Sequence, residues 1–110
     1  MNAGMSILLE RMTDESGNHV EWAFWCPGCK CNHSYCVQRA NPIDRGPVWQ
    51  WNGNQEKPTF TPSLLVSRPF DGSDHRCHLF VRDGMIEYCS DCDHTLAGKT
   101  VAMVDYDSLV

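Results

Sequence analysis

Apolar and polar residues alternate with a period of two over several short stretches, and no stretch sustains the spacing of a long helix. Val20, Trp22 and Phe24 fall on one face of such a run, which ends directly in Cys26. Before it, Ile7, Leu8 and Leu9 lie within Ser6 to Met12, and the turn-forming series Asp14 to Asn18 separates the two. A β-hairpin is expected here. A further strand is predicted over Ser34 to Gln38. Asn41 to Pro47 reads as a loop, because its prolines cannot donate to a sheet ladder. Val48 to Trp51 and Leu64 to Val66 then read as strands flanking a loop pinned by Pro58 and Pro62.

The clearest hairpin is Cys77 to Arg82 and Met85 to Ser90 around Asp83-Gly84, the dipeptide suited to a two-residue turn. That register opposes Arg82 to Met85 and His78 to Cys89. It places Cys77, Leu79, Val81, Ile86 and Tyr88 on one face, with His78, Phe80, Glu87 and Cys89 on the other. Cys77 and His78 therefore cannot enter one site without a bulge. Asp93 to Lys99 is expected to form one short helical turn, and Thr100 to Val104 a last strand.

These elements predict one mainly β domain over residues 1–110, built of two packed antiparallel sheets, β-tent-like or sandwich-like, and stapled by zinc knuckles. The aliphatic content is thin, and cysteine, tryptophan and proline make up much of what can be buried, so an added staple is favoured. The net charge of −5 and the lack of a Lys/Arg cluster argue against nucleic acid and favour a protein partner. No apolar run reaches the roughly 18 residues of a membrane span, and no signal-peptide pattern is present, so a cytoplasmic protein is expected. Oligomeric state is not encoded legibly.

Seven cysteines, an odd number, fit metal thiolates better than a disulfide framework. Cys26-Pro27-Gly28-Cys29 has the form of a zinc knuckle, in which proline fixes φ and glycine permits a positive φ. Cys89-Ser90-Asp91-Cys92 is a second C-x-x-C pair, and on spacing alone all four cysteines would form one site. Cys31, His33, Cys36, Cys77, His78 and His94 are competing donors, which leaves the number of ions at one or two. His19 and His75 stand in polar turn sequence and are read as solvated.

A longer pattern adds to this: C-P-G-C with a following His33, W-N-G at Trp51 to Gly53, and P-T-F-x-P-S-L-L from Pro58 to Leu65. It continues with Cys77-His78, Phe80-Val81, Gly84 and Ile86, then Asp91-Cys92, His94 and Leu96 to Gly98. The pattern resembles a family of small phage and prophage proteins, a domain of unknown function often labelled "ammonia monooxygenase". That label describes an integral-membrane copper enzyme, and this chain offers no spans for one. The resemblance implies Cys26, Cys29, Cys77 and Cys92 as ligands of a structural Zn2+, with Cys89 as the alternate, because the family has an apolar residue at that position. In knuckle pairing it is also similar to the β-tent group that includes methionine sulfoxide reductase B.

Two functions are compatible with these residues. The favoured one is a non-enzymatic module that engages a host protein, or modulates host defence, from the host cytoplasm if phage-encoded. The other is a zinc-dependent hydrolase in which His33, His78, Asp91 and His94 are the catalytic candidates around an open metal position.

Overall fold

A computed structural model describes residues 6–39, 46–70 and 73–109. It is mainly β, with nine strands and one short 3-10 turn, Tyr106–Leu109, among the described residues. Strands β1 (Glu10–Thr13), β2 (Val20–Cys26) and β3 (Cys31–Gln38) form one antiparallel sheet. Strands β4 (Gln50–Trp51) and β5 (Phe60–Thr61) form a two-stranded ribbon. Strands β6 (Leu64–Phe70), β7 (Ser73–Arg82), β8 (Met85–Tyr88) and β9 (Thr100–Ala102) form a four-stranded sheet in that order. Where two sheets were expected, the small ribbon makes a third.

The expected hairpins are present. β1 pairs with β2 from Thr13↔Val20 to Glu10↔Ala23, so the first arm is shorter than Ser6 to Met12, although Leu8 and Leu9 are still buried. β7 and β8 pair with Arg82 opposite Met85, and the left-handed φ values at Asp83 (52°) and Gly84 (78°) are those of the Asp-Gly turn. Cys77, Leu79, Val81 and Ile86 on the inward face have 0% exposure. Residues 93–98 form successive turns and no helix. Instead of capping a helix, the Asp93 carboxylate accepts the Arg76 backbone N–H at 2.7 Å. The expected loop at Asn41 to Pro47 lies outside the described residues as far as residue 45.

Aromatic rings fill the space that the few aliphatic residues cannot. Tyr35 and Phe60 stack with centroids 4.2 Å apart, and Trp22 meets Trp51 at 4.6 Å. The ribbon is thus tied to the first sheet through side chains, each such aromatic pair contributing about 0.5–1.5 kcal/mol beyond simple burial. At one end of this core the inward face of β2 brings Cys26 to within 3.9 Å of Cys77 on β7, sulfur to sulfur.

Candidate metal centre and catalytic triad

The knuckle closes with the Lys30 N–H donating to the Cys26 carbonyl at 2.7 Å and the Cys29 N–H pointing at the Cys26 sulfur at 3.4 Å. Its left-handed residue is Lys30, with φ 58°, not Gly28 as the motif suggested. Gly28 is needed for space: a Cβ built there would run into the His94 ring. His94 thereby reaches the knuckle, with Nε2 3.4 Å from the Cys77 sulfur.

Cys26, Cys29, Cys77 and His94 each present one ligand atom, all within 4.8 Å of one another. With Zn–S bonds of about 2.3 Å, tetrahedral sulfurs stand roughly 3.8 Å apart, close to the Cys26–Cys77 separation. Cys92, the expected fourth ligand, lies outside this group: its sulfur donates to the His78 carbonyl at 3.1 Å and accepts the His78 N–H at 3.3 Å. Cys89 belongs with His78 and Asp91 to a second, more exposed group. His75, read as solvated, instead has Nε2 2.9 Å from the Cys29 sulfur. His19 pairs with Glu21 at 2.7 Å.

The thiols influence one another's ionisation. A hydrogen bond from Cys77 is the largest influence on Cys26, which is pulled down to about 3 despite its burial. Cys29 is pushed up to about 12 by burial and then by the Cys26 charge. Cys77 is driven far upward by sharing its proton with Cys26, and burial adds to this. Each thiolate in the cluster thus disfavours the next, and positive charge among the three sulfurs would favour ionising all of them. Burial holds His94 below the usual imidazole range, which keeps it neutral as a ligand must be. His33 is 5% exposed, and among the described residues neither ring nitrogen has a hydrogen-bond partner, although the ring favours the Cys26 thiolate. Three thiols, a neutral imidazole and the space over Gly28 fit a closed zinc site.

The four proposed catalytic candidates divide between two places. His33 and His94 lie around the cysteines, whereas His78 and Asp91 lie on the opposite face of the sheet with a residue the sequence reading passed over, Ser63. The strand period accounts for the split: Cys77 points inward, so His78 points outward. His78 Nε2 is 3.0 Å from Ser63 Oγ, and His78 Nδ1 is 3.3 Å from Asp91 Oδ1. An acceptor carboxylate, an imidazole and a hydroxyl therefore stand in line, the arrangement that fixes the imidazole tautomer and aims its free nitrogen at the serine.

Each member is held from outside the line. The Ser63 carbonyl accepts the Trp49 indole N–H at 3.1 Å, and the His78 carbonyl accepts the Cys89 N–H at 2.9 Å. Arg76 approaches the other oxygen of Asp91 at 3.8 Å. The His78 and Asp91 side chains are 29% and 44% exposed, so the line is open to solvent.

The model of one family, described as bacterial ubiquitination-like system serine protease (BubE), matches residues 5–89. The match takes in Cys26, Cys29, Ser63, Cys77 and His78, while Asp91 and His94 follow it. Among curated proteins and among solved structures, nothing matches the chain.

Proposed function

We propose that this chain, which belongs to the BubE family of bacterial ubiquitination-like system serine proteases, is itself a serine peptidase with Ser63 as nucleophile, His78 as general base and Asp91 as its orienting carboxylate. The observation that carries this reading is the Ser63–His78–Asp91 line, with contacts of 3.0 and 3.3 Å. The family description supports a substrate that is a protein of such a system, cut at an amide carbonyl.

In the first half-reaction Ser63 Oγ bonds to the substrate carbonyl carbon while its proton passes to His78 Nε2. That proton then goes to the leaving nitrogen as the C–N bond breaks, leaving an ester on Ser63. Water, deprotonated by the same nitrogen, attacks the ester, and Ser63 recovers its proton as the acid departs. Asp91 accepts from Nδ1 throughout and stabilises the imidazolium at each stage.

The expectation of a structural zinc is kept, with Cys26, Cys29, Cys77 and His94 as the ligands we favour over a set that includes Cys92. Bound there, zinc supplies cross-linking between β2, β7 and the 93–98 turns. It is not needed as a Lewis acid, because the triad lies on the other face of the sheet. A non-enzymatic host-binding module of phage type has no comparable supporting geometry.

Labelling with a fluorophosphonate and mapping the adduct by mass spectrometry tests the reading. One adduct on Ser63 is expected, absent in Ser63→Ala. Ser63→Ala and His78→Ala should each lower peptide cleavage about 10³-fold or more, and the double variant should lose little beyond either. Undiminished cleavage by Ser63→Ala would sink the assignment.

A further inference from the structure

Resting on that triad, we infer that the outer edge of β6 binds the substrate as an added β-strand, so that the enzyme acts on extended, unfolded protein segments. β6 is an edge strand of its sheet, and it starts at the residue after Ser63.

The direction of its free backbone groups follows from hydrogen bonds made two strands away. In an antiparallel strand the N–H and C=O of one residue point to the same side, and neighbouring residues alternate. The His78 N–H goes to Cys92 and its carbonyl takes the Cys89 N–H, so both point away from β6. The Arg76 N–H goes to the Asp93 carboxylate and its carbonyl takes the Asp93 N–H, again away from β6. Leu65 is the cross-strand partner of His78, and Ser67 that of Arg76. The backbone groups of Leu65 and Ser67 therefore point outward, and among the described residues they have no partner.

Ser63 stands two residues before Leu65, and its carbonyl takes the Trp49 indole N–H. A row of backbone donors and acceptors, free among the described residues, thus starts at Leu65, two residues after the nucleophile, and repeats at every second residue of the strand. Such a row is a template for a further strand. Leu65, 55% exposed and directly across from His78, adds apolar contact for a substrate side chain beside the scissile bond. A helix has no free backbone to offer this edge. An extended tail or linker does.

The pairing has a period-two signature that a merely shape-selective groove lacks. A peptide cleaved by the wild-type enzyme, taken from a mixed-sequence fluorogenic library, would be resynthesised with one N-methyl amide at each position in turn. Alternate positions on one side of the scissile bond should each lose about tenfold in kcat/KM, with the intervening positions losing little. On the enzyme side, Leu65→Pro deletes one outward donor, a change that edge strands accept. Leu65→Pro should cleave the peptide about tenfold less efficiently than Leu65→Ala, the loss lying in KM. A flat N-methyl profile, or equal efficiencies for the two Leu65 variants, overturns strand addition. If the same wild-type enzyme still carries the fluorophosphonate on Ser63, the triad survives that failure; if Ser63 is not labelled, the triad itself is what has failed.

Discussion

At Gly28 one methyl group decides whether the metal cluster can close, since the His94 ring occupies the space a Cβ would take. Gly28→Ala should displace His94 from Cys77 and lower zinc affinity at least about tenfold, the scale seen when a site loses the group that seats a ligand. Competition against a chromophoric chelator measures this, and unchanged affinity would remove His94 from the ligand set. At this scale the sequence was informative where donors are close along the chain. Cys26 and Cys29 announce themselves by spacing, and Cys77 entered through the family resemblance. Ser63 stood in the same family pattern without a role, because nothing in Pro62-Ser63-Leu64 differs from an ordinary turn into a strand. Its meaning depends on β6 lying beside β7, a pairing across 15 positions for Ser63 and His78. His75 was missed for the same reason, as Cys29 is 46 positions away. The positive φ assigned to Gly28 was the wrong use for the right residue.

The β7–β8 hairpin is the element on which both sites depend, because its alternation sends Cys77 to the cysteines and His78 to Ser63. Its packing should be correspondingly sensitive. Ile86 on β8, opposite Val81, is fully buried, and Ile86→Ala should cost about 2–5 kcal/mol through lost burial and the cavity left behind. A urea unfolding curve gives the value; a loss below about 1 kcal/mol would mean that the surrounding strands collapse into the space. The elements most legible in the sequence were those with their own turn chemistry, such as Asp83-Gly84, whose register came out residue for residue. The two-stranded ribbon was less legible. Trp51 and Phe60 pair across a loop whose order comes from the Asn52 and Asn54 side chains accepting the backbone N–H groups of Asn54, Glu56, Lys57 and Thr59. The turns at residues 93–98 are bound to Cys89 and Arg76, so local helix signals lost to long-range bonds.

Over the whole molecule, the sheets meet through a core rich in aromatic rings and, at one end, through the cysteine cluster and the Tyr88 hydroxyl, 3.1 Å from the Cys26 sulfur. At that end the Cys26 thiol is pulled down by the hydrogen bond from Cys77, while Cys29 and Cys77 are pushed up by burial and by Cys26. A cation bound there favours the thiolate form of all three and cross-links β2, β7 and the loop that bears both Asp91 and His94. Zinc removal should therefore act on stability and on the triad together. Dialysis against a strong chelator at neutral pH should lower the melting temperature by about 10 °C or more and broaden the transition, with recovery on adding one equivalent of zinc. Fluorophosphonate labelling of Ser63 should fall in parallel, since His78 follows Cys77 in the chain and Asp91 precedes His94 by three positions. An unchanged melting curve after verified metal loss would show that the aromatic core holds the sheets by itself. Intact labelling with a lowered melting temperature would separate the two sites, leaving the hairpin alone to keep His78 on Ser63.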